Sequence, residues 1–288
     1  MERFRRSWRL AKASWDVLKA DRELLIFPLL SFVALLVVVI TFAVPAALLG
    51  LTDSRTGDYN ITTIVLGFVF YVVAYSVMFF FNTGLVGAAM IRLDGGNPTV
   101  SDGFKIATSR LPAIIGYAVI AATVGMILRM ISERAGFIGV IVIGILGFAW
   151  SVLTFLVVPI LVVEKVGPIE AVKRSGSLLR KTWGEQLIGG GGIGLVFGLI
   201  MFAVIVVGIF VTAVLASISW PLAIAGIVVV VLAVGAISLI GAALGGIYTA
   251  SLYKFATTGE SGAFDADAMT TAFRQKAGGV GGILGRTR

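Results

Sequence analysis

Chemistry in a protein needs a group that moves protons, attacks a substrate or holds a metal, and this chain offers few. It has no Cys and no His, so it has no thiolate nucleophile, disulfide or imidazole shuttle, and it lacks the commonest transition-metal ligands. Carboxylates are the remaining acid–base candidates. Asp94 and Asp102 share one polar stretch, and Glu164, Glu170 and Glu185 share another. Their neighbours Arg92, Lys105, Lys173, Arg174 and Lys181 suit ion pairs or solvated faces better than the clustered carboxylates of a metal-dependent lipid phosphatase. No HExxH, GxSxG or Walker pattern occurs. Gly189-Gly190-Gly191-Gly192 has the composition of a phosphate loop, but no Gly-Lys-Ser/Thr follows and the stretch enters an apolar run. The reading is a protein that is not an enzyme, with no catalytic residue, cofactor or metal.

The elements around these groups are apolar. The chain is 58% hydrophobic and 13% charged over 288 residues, with a mean hydropathy of +1.04, where a soluble domain is closer to a quarter charged. Its charges lie in blocks between apolar runs, the pattern of a polytopic membrane protein. The net charge of +8 then points to anionic lipid headgroups on one membrane face. The basic residues flank spans and form no separate domain, so nucleic acid is not expected as a partner.

Six spans follow from the apolar runs: Leu24 to Leu51, Ile61 to Ile91, Pro112 to Leu128, Phe137 to Val163, and two within Leu187 to Tyr253, separated at Ser217-Ile218-Ser219-Trp220-Pro221. The first run exceeds a signal-peptide core and is expected to be an uncleaved span. Pro45 and Pro159 are expected close to span ends. A basic amphipathic segment precedes each pair of spans. One stripe is Phe4, Trp8, Ala11, Trp15 and Leu18; a second is Val100, Phe104, Ala107 and Leu111; a third is Ile169, Val172, Gly176, Leu179 and Trp183. Trp8-Arg9-Leu10-Ala11, Phe104-Lys105-Ile106-Ala107 and Val172-Lys173-Arg174-Ser175 take equivalent places, which suggests a threefold internal repeat. The alternative is that loops on one side simply collect basic residues.

The fold class expected is all-α: six transmembrane helices arranged as three hairpins, each preceded by a basic amphipathic interfacial helix. Residues 1–23 form the N-terminal amphipathic segment, 24–255 the membrane domain and 256–288 a polar, partly disordered tail. Of the 23 Lys and Arg residues, all but Arg55, Arg129 and Arg134 fall on one side. The positive-inside rule therefore puts both termini in the cytoplasm.

Within the spans there is no Asp, Glu, Lys or Arg, which argues against an ion-coupled transporter. Asn82 is the most polar side chain in the second span. Its ordinary role is a hydrogen bond to a neighbouring helix, its less ordinary one a ligand contact. Gly190, Gly194 and Gly198, with Gly241 and Gly245, recur at steps of four and would let the last two spans approach closely. Arg5, Arg6, Arg9, Lys12, Lys173, Arg174 and Lys181 are the candidate headgroup contacts.

Phe4 to Trp15, continuing through Asp21-Arg22-Glu23-Leu24, resembles the opening of an uncharacterised prokaryotic family of multi-span membrane proteins. Val158-Pro159-Ile160-Leu161-Val162-Val163-Glu164, followed by Gly167-Pro168, Ala171, Lys173-Arg174-Ser175, Leu178-Leu179-Arg180 and Trp183-Gly184, is similar to that family's second hallmark. The same residues are loosely similar to the membrane domain attached to some glycerophosphodiester phosphodiesterases. The resemblance implies six spans and a prokaryotic cytoplasmic membrane, and supplies no active site; hydrolase activity does not carry over, because the soluble barrel and the catalytic His are missing. The function expected is a non-catalytic scaffold or a binding protein for anionic lipid or a membrane partner, including a homo-oligomer. The alternative is a permease or flippase for an apolar or amphiphilic solute.

Overall fold

The structure is a computed structural model that describes residues 12–48, 61–134, 136–183 and 193–259. Among the described residues every regular element is a helix. Helix α1 covers 12–20, and a 3-10 turn, Arg22–Leu25, leads into α2, Ile26–Leu48. The remaining helices are α3 Ile61–Leu93, α4 Val100–Ser109, α5 Leu111–Arg134, α6 Phe137–Leu153, α7 Val157–Val163, α8 Pro168–Trp183, α9 Ile193–Ile218 and α10 Trp220–Thr258. Among the described residues six segments are long and apolar enough to cross a membrane, the fourth made from α6 and α7 together. Helices α3 and α10, at 33 and 39 residues, reach about 50 and 58 Å at 1.5 Å per residue, against a hydrocarbon core of about 30 Å.

Three of these boundaries differ from the sequence expectation. The third span continues past Leu128 to Arg134. Arg129 and Glu133 pair across one turn at 2.9 Å, so these charges sit within the helix instead of ending it. The fourth span breaks at Thr154-Phe155-Leu156. Pro159 is the cause: it has no N–H for the carbonyl of Phe155, and its ring crowds that carbonyl. Pro45, by contrast, lies inside α2, three residues before its end. The fifth and sixth spans separate at Ser219, as the Ser-Ile-Ser-Trp-Pro turn implied, and α10 runs on past Tyr253 to Thr258.

Packing is lopsided. The start of α2, the end of α3, the start of α5, α7 and the end of α10 converge at one end, where α1, α4 and α8 form a collar. Thr83 to Ala89 of α3 are seven consecutive buried residues, because small side chains let neighbours close in from every side. Phe27 of α2 wedges between Gly84 of α3 and Gly103 of α4, where a Cβ on Gly84 would lie 2.7 Å from Phe27 Cε1. Val157 to Leu161, the first five residues of α7, are buried.

Away from the collar the interior empties. Across 29–48, 61–82, 123–133, 139–153, 197–218 and 220–242, the only fully buried described residues are Gly208, Ala223 and Gly226, at the crossing of α9 and α10. A soluble protein could not present so much apolar surface to water. Lipid or a bound apolar molecule suits it.

Candidate functional site

The collar helices meet the bundle through small residues. In α1 the buried positions are Ser14, Val17 and Leu18, followed by Asp21 beyond its end. In α4 they are Gly103 and Ala107, and in α8 Ala171, Ser175, Leu178 and Leu179. On α1 and α8 these faces are rotated from the apolar stripes read in the sequence, whereas on α4 the stripe of Val100, Phe104 and Ala107 is the docked face. Trp15 is 37% exposed and Ile169 63%, while Val17, Leu18, Leu178 and Leu179 pack inward beside the small residues. Helices α1 and α8 therefore have three faces, one docked, one apolar and open, one basic, whereas α4 packs Phe104 against Phe27, Phe80 and Phe81 and keeps Lys105 exposed. The spacing of Gly103 with Ala107 and of Ala171 with Ser175 carried that signal.

Charges encircle the collar end in pairs. Asp21 Oδ2 lies 2.9 Å from Arg92 Nε, with side chains 10% and 29% exposed. Lys254 Nζ lies 2.8 Å from Asp94 Oδ1 and donates to the Leu93 carbonyl at 2.9 Å. Glu164 accepts from Arg174 Nε at 3.3 Å and from the Tyr253 hydroxyl at 3.1 Å. Glu23 accepts from the Val100 amide at 3.3 Å. Asp102 closes a capping box with Thr99 at the start of α4; hydrogen bonds from the Thr99 hydroxyl and amide hold its carboxyl below the usual carboxylate range. Asp94, Asp102 and Glu164 are thus dispersed into pairs and a cap, Glu170 is exposed on α8, and Glu185 lies outside the described residues. Among the described residues, no group of three or more Asp and Glu converges as a metal ligand set would.

A second arrangement lies inside the bundle. The N–H of Leu156, released by the break in the fourth span, donates to Ser175 Oγ of α8 at 3.2 Å. Thr154 donates its hydroxyl to the Trp150 carbonyl at 2.8 Å and lies beside the buried Tyr117 of α5. Phe155 meets Tyr248 of α10 edge to face at 6.4 Å. Tyr117, Thr154 and Tyr248 thus lie near the break. Further along, Tyr71, Tyr75 and Phe79 run down α3 in contact with one another, and Arg129 donates to the Tyr71 hydroxyl at 2.9 Å.

The sequence-derived candidates fall as follows. Lys12, Lys173 and Arg174 are exposed on α1 and α8, with Arg174 paired to Glu164. Arg5, Arg6, Arg9, Gly190 and the side chain of Lys181 lie outside the described residues, as does the side-chain environment of Gly194 on α9. A Cβ on Gly198 or Gly245 would meet nothing within 4 Å, while one on Gly241 would lie 3.2 Å from Phe197. The tightest approach between α9 and α10 is at Gly208, against Val230, and at Gly226, against Leu215. Asn82 is half-buried on α3, its Oδ1 3.5 Å from the Cβ position of Gly246. The polar residues near the break that sequence reasoning missed are Tyr117, Thr154 and Tyr248; Pro159 was the one available signal.

Residues 60–264 match the model of a family of unknown function (DUF6159). No curated protein matches the chain.

Proposed function

The chain belongs to this family of unknown function, and from that premise we propose a non-catalytic membrane protein that binds anionic lipid through its collar. Its six spans form three hairpins in a prokaryotic cytoplasmic membrane, with both termini and the collar on the cytoplasmic side. Helices α1, α4 and α8 lie in the membrane interface. The observation that carries this reading is the three-faced collar helix. On α8, Ile169 is 63% exposed and Lys173 is exposed on the same helix, so apolar side chain and cation are both open to a lipid surface. The motif likeness to the membrane domain of some glycerophosphodiester phosphodiesterases fits a lipid-handling role without hydrolysis. The open faces of α6 and α9 leave room for a membrane partner or a second copy.

The test is native mass spectrometry of the purified protein with phosphatidylglycerol and phosphatidylcholine. Retained phosphatidylglycerol should fall at least tenfold when Arg5, Arg6, Arg9, Lys12 and Lys173 are replaced by Ala, given about 1 kcal/mol per cation near an anionic surface. Equal retention by parent and variant ends the proposal.

A second reading is a permease or flippase for an uncharged amphiphile. The interrupted fourth span favours it, since irregular backbone inside a membrane is tolerated where it is buried in protein or lines a cavity, and substrate sites in many transporters are built from such broken helices.

A further inference from the structure

Docking of one side of α8 fixes what its other side offers. Ala171, Ser175, Leu178 and Leu179 are buried, and the opposite side carries Lys173, Ser177 and Arg180, all exposed. At 3.6 residues per turn these three fall within an arc of about 60°. Ser177 stands between the two cations, about 6 Å along the axis from Lys173 and about 4.5 Å from Arg180, so both long side chains can meet over its hydroxyl. Arg174 lies at the rim and is engaged by Glu164 at 3.2 Å. Glu170, the one carboxylate on α8, is also exposed, but lies on the far side of Lys173, about 10 Å along the axis from Ser177. The face adjoins an apolar span. A Cβ on Gly176 would lie 2.6 Å from Leu153 Cδ1 at the end of α6, and Leu153 and Phe155 are 38% and 36% exposed.

We propose that Lys173, Ser177 and Arg180 seat the phosphate of a lipid phosphomonoester, of the phosphatidic acid type, at the collar end of α6. This assignment rests on anionic-lipid binding by the collar and names the headgroup chemistry. An ammonium, a hydroxyl and a guanidinium together supply charge-assisted and neutral donors around one point. A phosphomonoester presents three free oxygens and about −1.5 to −2 charge at pH 7, which matches two cations with a hydroxyl between them. A phosphodiester such as phosphatidylglycerol has two free oxygens and a single charge, and leaves part of the donor set unused. Glu170 weakens the Lys173 end of the seat by its own negative charge, so the phosphate belongs toward Ser177 and Arg180. Leu153 and Phe155 beside it give acyl chains an apolar surface that a soluble phosphate ester would not use.

Native mass spectrometry of the full-length protein with phosphatidic acid, phosphatidylglycerol and phosphatidylcholine of matched chains tests the seat. At neutral pH phosphatidic acid should be retained at least fivefold over phosphatidylglycerol, and the preference should shrink on acidification as the phosphate loses its second charge. Arg180→Gln should reduce retained phosphatidic acid at least fivefold and Ser177→Ala at least twofold, with phosphatidylglycerol little changed. Glu170→Gln should raise it. Equal retention of the two anionic lipids by the parent, or retention of phosphatidic acid unchanged in both the Arg180 and Ser177 variants, overturns the seat and leaves standing a collar that prefers anionic lipid to phosphatidylcholine. Retention of neither anionic lipid over phosphatidylcholine removes the seat and the collar reading together. An excess of soluble glycerophosphate should displace little of the bound phosphatidic acid; complete displacement assigns the seat to a soluble phosphate ester and overturns the lipid assignment.

Discussion

Asp21 Oδ2 stands 2.9 Å from Arg92 Nε, joining the entry of the first span to the exit of the second. The carboxylate is 10% exposed and the guanidinium 29%, so the pair is largely removed from water. Removing one partner leaves the other buried and uncompensated. Arg92→Ala should therefore destabilise the protein by roughly 2–3 kcal/mol, below the 3–5 kcal/mol of fully buried pairs because Arg92 keeps some water. Asp21→Asn combined with Arg92→Gln should cost less than the sum of the single changes. Thermal unfolding in detergent measures both, and additive losses would show that the contact contributes nothing.

The contact between Ser175 Oγ and the Leu156 amide, at 3.2 Å, makes a sharper prediction. Helix α8 supplies the acceptor for an N–H that the broken helix cannot satisfy itself. Ser175→Ala strands that donor in a buried site, at a cost of about 1–3 kcal/mol. Hydrogen exchange should quicken at 154–157 while the α9–α10 crossing is unchanged. Uniform quickening across the bundle would mean that the hydroxyl contributes only to global stability.

These two contacts mark where the sequence was legible. Long uncharged runs could only be spans, and Ser219 to Pro221 could only be a turn between neighbouring spans, because period and composition decide such matters locally. The charge pairs lie 71 and 160 residues apart in sequence at Asp21–Arg92 and Lys254–Asp94, and no local pattern encodes that distance. Pro159 was visible, but its effect falls four residues upstream, on the carbonyl of Phe155. The collar faces of α1 and α8 were misjudged by rotation, that of α4 was not: an apolar stripe says which side avoids water, not whether it meets protein or lipid. Small residues such as Ala171 and Ser175 decide the docked side, and Ile169 is left outside.

Close approach at Phe27 gives a third prediction. A Cβ on Gly84 would lie 2.7 Å from the Phe27 ring, and one on Gly103 would meet the same ring and lie 2.8 Å from the Gly84 carbonyl. Gly103→Val must push α4 off α3, and overpacking of this kind costs about 1–3 kcal/mol or more. Gly235→Val, in open space, is the matched control. The Gly103 variant should lose several degrees in thermal midpoint and the control much less; equal losses would remove Phe27 from its role as the wedge.

Acid should act on α4 through Asp102. Hydrogen bonds from Thr99 lower its carboxyl pKa, so the folded state holds the ionised form more strongly than the unfolded chain does. The resulting stability is present above the unfolded carboxyl value and is lost as pH falls through the lower folded value. Asp102→Asn removes the linkage. Parent and variant unfolding midpoints should therefore differ at neutral pH and converge toward acid, and a difference that widens on acidification would reverse the assignment.

Adjacent residues of α10 hold two loops of the same design. Asp94-Gly95 precedes Pro98 as Glu164-Lys165 precedes Pro168, and Gly95 and Lys165 both have positive φ, 86° and 57°. Lys254 grips the first loop through Asp94, and Tyr253 the second through Glu164. The matching backbone supports the internal repeat at this junction. It also separates the consequences of two neighbouring substitutions. Lys254→Met should quicken hydrogen exchange at 94–99 alone, and Tyr253→Phe at 164–168 alone. Lys165 occupies a conformation that disfavours an L side chain by roughly 1–2 kcal/mol, so Lys165→Gly should raise the thermal midpoint while Gly95→Ala lowers it. If both loops loosen together in either α10 variant, the end of α10 acts as one plug and the two grips are not independent.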